Sequence, residues 1–524
     1  MKLGIDFGTT RTVVACADRG NYPVLTFADV AGDAHDWFPS VVAERDGELR
    51  FGFAALATAN DASFTAVRSF KRLLAEAQSG SGQSVTIGGT TMAIDELVTR
   101  FLGALRVAIL EGSNLPDELA ASAESLRSVV AVPANASGAQ RFVTLDAFRR
   151  AGFEPIAMLN EPSAAGFEYT HRHRDTLTSR RDHVVVYDLG GGTFDASLVR
   201  MRGRTHEVMA TAGVNQLGGD DFDDVLLELV LARAQLTRHS SALDARALER
   251  LLDQCRDAKE RLNPSSRKLS IDLETALGAA APTPMAVVTV ADFYAACLPL
   301  VTRSIEAMVP VMARLDGAVT EDAEAALDDI AGIYVVGGAS ELPLVARALR
   351  ERFGRRVHRS PYPSAAIAIG LAIACDDVAG FELSDRYART FGVFREGAAG
   401  AAITFDPIFT SDTALPTRAG APIVRRRDYR AAHNVGHFRF FECNAISEDG
   451  RPRGDMMVSG DVLFPFEADL DAASLRGVAV QRIAARGPRI EEQYALDENG
   501  IVAITIKNLD AGFERVYRLG AGGA

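Results

Sequence analysis

The segment VVVYDLGGGTFDAS (residues 184–197) constrains the fold of this chain more than any other stretch. Four apolar residues lead into Asp188, and three consecutive glycines, Thr193 and Asp195 follow closely. A tight turn needs one or two glycines, whereas successive backbone N–H groups in glycine turns form a concave nest that binds anions. The segment is therefore interpreted either as a plain turn or as a seat for an anion.

A second segment, GIDFGTT (residues 4–10), repeats this order of apolar strand, aspartate, glycine and threonine. Each segment begins a similar series of strand, hairpin and helix. The repetition predicts two similar lobes of about 180 residues each, with the two glycine turns facing each other across a cleft. Two further glycine turns, LGGDDFDD (residues 217–224) and VVGGAS (residues 335–340), strengthen the interpretation as a ligand site.

The aspartates beside these turns require a cation, because a carboxylate repels a bare phosphate. Hydrated Mg²⁺ fits, since it keeps several waters and takes only one or two carboxylates. Threonine hydroxyls can donate to phosphate oxygens. The sequence lacks the G-x-x-x-x-G-K-[ST] pattern, so a P-loop is excluded. The carboxylates concerned are Asp6, Asp188 and Asp195, and the threonines are Thr9, Thr10 and Thr193.

Strands and helices alternate from residue 1 to about residue 376, which is typical of an α/β fold. Beyond this point, short β-rich segments and turn signals predict an all-β sandwich over residues 387–524. Asn499 and Gly500 mark a hairpin turn within that region. Residues 377–386 are left as a linker between the two domains.

The bulk composition excludes several classes of protein. With 56 basic and 69 acidic residues, the net charge of −13 disfavours partners such as nucleic acid or an anionic membrane. The five cysteines form no CxxC pair, which argues against a zinc site or a disulfide framework and favours a reducing cytoplasm. We expect no secretory signal peptide and no membrane span.

Taken in order, the motifs resemble those of the seventy-kilodalton heat-shock (DnaK-type) chaperones. The resemblance covers almost the whole chain and is looser after Cys375. It implies an α/β fold with a two-lobed, actin-like ATPase domain (residues 1–376), followed by an all-β sandwich that binds peptide. The motifs are GIDFGTT, FKRLL (residues 70–74), VPANASGAQR (132–141), NEPSAA (160–165), DLGGGTFD (188–195), LGGDDFDD (217–224), VVGGASELP (335–343), FDPIFTSDTALPTR (405–418) and YALDENGIVAITIKN (494–508).

The resemblance implies that ATP or ADP binds in the cleft with Mg²⁺ and companion potassium ions, and that slow hydrolysis controls the grip on an extended polypeptide. Lys71 and Glu161 would flank the γ-phosphate and the attacking water, Thr193 would orient them, and Asp6, Asp188 and Asp195 would hold the metal. Such roles agree with phosphoryl transfer, which needs positioning and charge neutralisation. The nucleotide-binding residues would be Gly8, Thr9, Thr10, Gly190, Gly191, Gly192, Thr193, Gly218, Gly219, Asp220, Lys259, Gly337, Gly338, Ala339 and Glu341.

Partners follow from the same resemblance: unfolded or extended client polypeptides, a J-domain co-chaperone and a nucleotide exchange factor. Pro133 and Arg141 match a proline–arginine relay that reports the bound nucleotide to the second domain. Asp220 and Asp221 have a further interpretation as caps of the helix that follows them, and both roles are compatible.

The adenine side of the pocket departs from the family pattern. The helix reads RDAKER (residues 256–261), which keeps Lys259 but places Arg256 and Glu260 at the other key positions. The turn GGASE has Glu341 where the family often has an arginine that stacks on the base. We expect Arg256 or Arg261 to compensate, or base affinity to fall, and we predict micromolar affinity for ATP.

Two more departures concern coupling and trapping of a client. The linker region DDVAGFELSDRYART (residues 376–390) lacks the family's acidic, leucine-rich pattern, although Val378, Phe381 and Leu383 are candidates to replace it. No helical lid is expected after Leu519, so bound clients should dissociate quickly. We expect some interdomain coupling to survive, because Pro133 and Arg141 are both present.

Two alternatives accompany the chaperone-like reading. The first is a nucleotide-regulated interaction module, dedicated to one protein partner and with weak or absent ATPase activity. The second is a kinase of the same superfamily, which is disfavoured because the layout offers no clear acceptor site.

Overall fold

The computed structural model describes residues 2–519 except 59–60, 62, 77–83, 117–124, 179–180, 203–204, 215, 241–242, 314–329, 381, 385, 388, 398–399, 412, 418–419, 468–469, 471 and 484–485. Its first part contains the elements β1 (Lys2–Phe7), β2 (Arg11–Cys16), β3 (Phe27–Ala28), β4 (Ala34–His35), β5 (Phe38–Pro39), β6 (Val41–Arg45), β7 (Glu48–Phe51), α1 (Gly52–Leu56), β8 (Thr65–Arg68), α2 (Lys71–Glu76), β9 (Ser84–Ile87), β10 (Thr90–Ala93), α3 (Ile94–Glu111), β11 (Leu126–Val132), α4 (Gly138–Arg150), β12 (Phe153–Asn160) and α5 (Glu161–His173).

The second part is also mixed α/β. Its elements are β13 (His183–Leu189), β14 (Phe194–Arg202), β15 (Thr205–Val214), α6 (Gly219–Arg233), α7 (Ala245–Glu260), β16 (Lys268–Asp272), α8 (Leu273–Leu277), β17 (Met285–Thr289), α9 (Val290–Met312), β18 (Ile330–Val336), α10 (Pro343–Phe353), β19 (Val357–Arg359), α11 (Ala366–Cys375) and β20 (Glu382–Ser384).

The two main sheets have matching topology. The first has the order β12-β11-β1-β2-β5 and the second the order β19-β18-β13-β14-β15-β20. In each, an antiparallel hairpin (β1 with β2, or β13 with β14) pairs on its other side with a parallel strand, β11 or β18. The repeat predicted from the two glycine segments is therefore present as two lobes with the same strand order.

Helices α5 and α11 pack between the two sheets and fix their spacing. Gly370 on α11 lies so close to α5 that a Cβ atom there would come within 1.8 Å of the carbonyl oxygen of Ala164. Gly4 on β1 also lies very close to α11, because its Cβ would lie 2.3 Å from the carbonyl oxygen of Ala368. Small residues at these crossings let the backbones approach closely, as the alanine-rich sequence of α11 predicts.

Helix α9 is long and apolar enough to cross a membrane, judged by length and composition alone. Here its apolar stripe packs into the core of the second lobe, where Phe293, Cys297, Val301 and Met308 are fully buried. Its sequence also includes three charged residues, which interrupt the apolar run: Asp292, Arg303 and Glu306.

The last part is β-rich. Two four-stranded antiparallel sheets, β22-β21-β24-β25 and β23-β26-β27-β28, share one hydrophobic core that includes Phe391, Phe440, Phe464, Tyr494 and Ile504. Gly500 has φ +74° in the predicted hairpin turn. The strands are β21 (Thr390–Gly397), β22 (Ala402–Phe409), β23 (Ile423–Arg430), β24 (Val435–Ile446), β25 (Pro452–Pro465), β26 (Arg489–Leu496), β27 (Val502–Asn508) and β28 (Phe513–Arg518).

The predicted linker contributes a strand to the second lobe. Strand β20 pairs in parallel with β15, with Thr205 opposite Glu382. Arg386 forms an ion pair of 2.7 Å with Glu207 on the same edge. Of the three linker residues proposed to replace the leucine-rich pattern, Val378 is 87% exposed, whereas Phe381 and the side chain of Leu383 lie outside the described residues. The boundaries at residues 376 and 387 stay a prediction.

Candidate functional site

The cleft between the two lobes encloses a cavity of about 740 Å³. It lies where β1 and β13 end, so the two hairpin turns meet at its floor. The sequence-predicted residues that line it are Asp6, Gly8, Thr9, Thr10, Lys71, Glu161, Asp188, Gly190, Gly191, Thr193, Gly219, Asp220, Lys259, Gly337, Gly338, Ala339 and Glu341.

The glycine turns pack against each other so tightly that side chains would not fit. A Cβ on Gly191 would lie 2.6 Å from the hydroxyl oxygen of Thr10, which belongs to the opposite lobe. A Cβ on Gly218 would lie 2.6 Å from the backbone nitrogen of Gly192, and the Gly219 N–H donates to the Gly190 carbonyl at 3.0 Å. The turns therefore form a backbone cradle, with Gly192 and Gly218 behind its surface.

The fourth turn closes the cradle from the far side of β13. Gly337 has φ +86°, a left-handed conformation that favours glycine, and a Cβ there would lie 2.4 Å from Oδ1 of Asp188. Its N–H donates to the carbonyl of Pro363 at 2.8 Å. The neighbouring Gly338, Ala339 and Glu341 face the cavity.

Three aspartates lie buried beneath the cradle. Asp188 and Asp195 are directly opposite each other in the β13–β14 hairpin, and Asp6 is the next-to-last residue of β1 in the other lobe. Burial, and then the charge of Glu161, raises the pKa of Asp6 and of Asp195 to about 7. The same causes raise the pKa of Asp188 well above its usual value. The structure thus concentrates negative charge that a cation would neutralise.

Lys71 and Glu161 form a buried ion pair at the edge of this cluster. Lys71 begins α2 and Glu161 begins α5, and Nζ donates to Oε1 at 3.0 Å while both side chains are 8% exposed. Burial alone would lower the pKa of Lys71, but the charges of Glu161 and Asp6 raise it, so the ammonium stays protonated. The pair places a fixed cation and a carboxylate side by side within the cavity wall.

Of the two arginines considered for the base side, Arg256 lines the cavity and Arg261 does not. Arg256 is held in ion pairs with Asp253 at 3.1 Å and Asp223 at 3.3 Å. Arg261 is 82% exposed and does not line the cavity. Lys259 donates to the Gly219 carbonyl at 2.7 Å, so it supports the cradle itself.

The two adjacent acidic residues at the start of α6 have different roles. The carboxylate of Asp221 accepts from the Gly218 N–H at 2.7 Å and caps the helix. Asp220 instead reaches the opposite lobe, where Ser69 donates to it at 3.0 Å and Arg72 pairs with it at 3.2 Å. The capping prediction therefore holds for Asp221 alone.

Sequence reasoning missed the ion pairs that cross the cleft. Arg11, which lies 4.4 Å from the centre of the Trp37 ring, pairs with Glu260 on α7. Arg68 pairs with Asp253 on the same helix at 3.0 Å. Of these arginines, only Arg72 could have been found from the sequence. It directly follows Lys71, and the motif that contains Lys71 was already expected to lie at the cleft.

The residues fit a nucleotide with a hydrated metal. The glycine turns and the threonines line the cavity where an anion would lie, and the buried carboxylates supply oxygen ligands. Among the described residues, no three acidic, histidine or cysteine side chains converge closely enough to chelate one ion directly. That arrangement suits Mg²⁺, which keeps several waters and takes few protein ligands.

Two lobes of equal strand order, closed over a glycine cradle with a buried lysine, define a class of bilobal proteins with the actin-like fold. The family model described as Hsp70 protein matches residues 2–393 of this chain. The chain belongs to the Hsp70 family. Membership gives the actin-like ATPase fold and a chaperone-like, nucleotide-binding function with ATP or ADP and Mg²⁺.

Proposed function

We propose that this chain is an ATP-dependent, chaperone-like protein of the cytoplasm. Slow ATP hydrolysis in residues 1–376 would regulate the binding of extended polypeptide by a β-sandwich formed from residues 387–524. J-domain co-chaperones and nucleotide exchange factors are the partners that fit this cycle. The five free, buried cysteines support a reducing compartment.

Lys71 would neutralise charge on the γ-phosphate, Glu161 would accept a hydrogen bond from the attacking water, and Thr193 would orient both. Asp6, Asp188 and Asp195 would hold Mg²⁺, which supplies charge neutralisation when bound, and companion potassium ions. The buried Lys71–Glu161 pair supports these roles, since fixed charges in a water-poor site need no reorganisation during the reaction.

One observation carries the proposed regulation: Arg141 joins the cleft to the β-rich region. Its Nη1 donates to the Asn499 carbonyl at 3.3 Å, in the hairpin turn between β26 and β27. Its Nη2 donates to the side chain of Asn160, the residue directly before Glu161. A shift of Glu161 on nucleotide binding would therefore move Asn160 and Arg141, and Arg141 would pass the movement on to the hairpin turn.

A buried carboxylate provides a second contact between the first domain and the β-rich region, which we describe as docked on it. Glu442 on β24 accepts from the Gly138 N–H, the first residue of α4, at 3.1 Å. Ser459 donates to it at 3.0 Å and Arg389 lies 3.7 Å away. An acidic group at the start of a helix also favours the helix dipole. The β-rich region thus rests on the helix that carries Arg141.

Affinity for the base is proposed to be weak. Arg256 lines the cavity but is tied to carboxylates, and Glu341 stands where the family often has the arginine that stacks on adenine. We expect a micromolar dissociation constant for ATP, which isothermal titration calorimetry measures directly. A nanomolar value would contradict this assignment of the base side.

Suppression of aggregation tests the function as a whole. Several unrelated denatured proteins are diluted into buffer with the full chain, with ATP or with ADP, and light scattering is followed. General suppression that depends on the nucleotide is expected. Suppression of no client, together with tight binding of one folded protein, would instead support the dedicated interaction module.

A further inference from the structure

A short extended segment of the β-rich region pairs with the connection between its two sheets. We name residues 478–483 the strap and residues 431–434, which join β23 to β24, the connector. The Ile483 N–H donates to the Ala432 carbonyl at 2.9 Å, and the Asn434 N–H donates to the Gln481 carbonyl at 3.0 Å. These bonds put strap and connector in antiparallel register.

Asn434 holds the strap with its side chain as well. Its Oδ1 accepts from the Gln481 N–H at 2.8 Å, and its Nδ2 donates to the Ala479 carbonyl at 3.1 Å. The side-chain amide of Asn434 thus accepts and donates one hydrogen bond each, as a backbone peptide group of a neighbouring strand would. Asn434 is only 8% exposed, so its position is fixed by the sheets around it.

Side chains add one charged and one apolar contact. Arg482 pairs with Glu396 at the end of β21, and His433 lies 3.6 Å from the same carboxylate. Ile483 packs against the core that the two sheets share. Two adjacent side chains of the strap therefore bind two different sites on the β-rich region. Arg482 binds Glu396, and Ile483 binds the shared hydrophobic core.

Most of the strap is nevertheless at the surface. Val480 is 57% exposed, and Ala479, Gln481 and Arg482 are also exposed. Segments with few buried contacts and exposed backbone hydrogen bonds open at low free-energy cost. When the strap leaves, the connector keeps a pattern of backbone donors and acceptors that another extended chain can satisfy.

We propose that the strap is an internal competitor, which occupies in cis the surface that an extended polypeptide binds. This inference rests on the proposed chaperone-like function and names a site and a client chemistry for it. The preferred client is an extended segment in which a basic residue adjoins an aliphatic one. Glu396 selects the basic residue by charge, and the part of the shared core that Ile483 covers takes the aliphatic side chain.

A disulfide lock tests the competition. His433 and Arg482 are directly opposite each other as the non-hydrogen-bonded pair, and Cα atoms of such pairs lie about 4.5 Å apart, within disulfide range. The variant His433→Cys with Arg482→Cys is studied oxidised and reduced. The five native cysteines are buried, so the engineered pair should oxidise selectively. The probe is a fluorescein-labelled VAVQRI peptide, followed by anisotropy.

The reduced lock should bind the peptide at least about tenfold more tightly than the oxidised lock, a difference of about 1.4 kcal/mol. The single variant Arg482→Ala, which frees Glu396 without a crosslink, should also bind more tightly than the parent chain. A control peptide, VAVQEI, should bind more weakly to every form, because its glutamate faces Glu396.

Two results would overturn the inference in different ways. Equal peptide binding by the oxidised lock, the reduced lock and Arg482→Ala would refute competition by the strap but leave the chaperone-like function intact. Binding of neither peptide by any form would refute the strap and the proposed peptide-binding function together. ATP titration of each variant confirms that the first domain remains folded.

Discussion

At the residue scale, Lys71 has the most specific expected role. Its Nζ is held 3.0 Å from Glu161 Oε1 in a buried site. The variant Lys71→Ala should lose ATP hydrolysis by about two to three orders of magnitude, since a fixed cation matters most as charge develops in the transition state. ATP binding, measured by calorimetry, should change little.

Lys268→Ala, which removes an exposed lysine of the same part of the chain, is the matched control for Lys71→Ala and should hydrolyse ATP normally. Substantial single-turnover hydrolysis by Lys71→Ala would remove Lys71 from the mechanism.

His206 gives a pH prediction at the same scale. It is fully buried on β15, stacked 4.5 Å from Phe167, and burial lowers its pKa to about 4. The folded state therefore favours the neutral ring. This stabilisation is complete above the unfolded pKa of about 6.5 and is lost as the pH falls toward 4, by at most about 3 kcal/mol.

The variant His206→Gln should be less stable than the parent chain at neutral pH, and this difference in the free energy of unfolding should shrink as the pH falls. Chemical unfolding at pH 7.5 and at pH 5 measures the free energy of unfolding of both chains, and the gap between them should narrow at the lower pH. A gap that stays constant would show that His206 does not titrate in the buried neutral form.

At the element scale, ion pairs hold helix α7 against the first lobe. Arg11 and Glu260 are about one third exposed, so their contribution is about 1 kcal/mol or less. The variant Arg11→Ala should speed nucleotide release a few-fold, measured by displacement of a fluorescent ATP analogue. The charge swap Arg11→Glu with Glu260→Arg should restore the rate.

Arg100→Ala is the control for Arg11→Ala. It removes an ion pair of 2.8 Å with Glu96 within one helix, which does not cross the cleft. Faster release in this control would mean that Arg11 acts through stability in general.

Docking of the β-rich region depends on Glu442. Burial raises the pKa of this carboxyl, and the charge of Arg389 partly offsets that effect. The variant Glu442→Ala leaves the buried Gly138 N–H without its partner and Arg389 with Asp455 alone, which should destabilise the chain by about 2 kcal/mol and release the docked region. Hydrogen exchange at Gly138 and at Asn499 should then increase.

Ser459→Ala is the matched variant, because it removes a hydrogen bond to the same carboxylate from within the β-rich region. It should leave exchange at Asn499 close to that of the parent chain. Equal exchange in Glu442→Ala and the parent would mean that Glu442 does not hold the docked state.

Sequence alone predicted the features whose causes are local. The glycine turns at Gly191 and Gly337 follow from backbone chemistry, and the repeated segment predicted the matching sheets. The partners of charged side chains could not be predicted in the same way. Arg11 and Glu260 are 249 residues apart and Gly138 and Glu442 are 304 apart, so only the packed fold brings them together.

The ion pairs of Arg256 could not be predicted for the same reason. Its charge and position suggested a contact with the base, whereas the fold surrounds it with Asp220, Asp223 and Asp253. The strap was not predicted either, because its sequence, VAVQRI, does not indicate which segment it pairs with.

At the scale of the whole molecule, the proposed function requires that the nucleotide-binding domain and the β-rich region affect each other. Coupling is reciprocal, so if ATP changes client affinity, a client must change nucleotide affinity by the same factor. A peptide should dissociate faster from the ATP-bound chain than from the ADP-bound chain, measured by stopped-flow anisotropy. Arg141→Ala should reduce this difference, since it removes the side chain that links Asn160 to Asn499.

Single-turnover ATP hydrolysis, with and without a library of extended peptides, tests the central claim most directly. We expect slow hydrolysis that extended peptides accelerate by about tenfold, equivalent to about 1.4 kcal/mol of coupling. The acceleration should disappear in Arg141→Ala. Hydrolysis at the same rate with and without every peptide, or no hydrolysis at all, would contradict it.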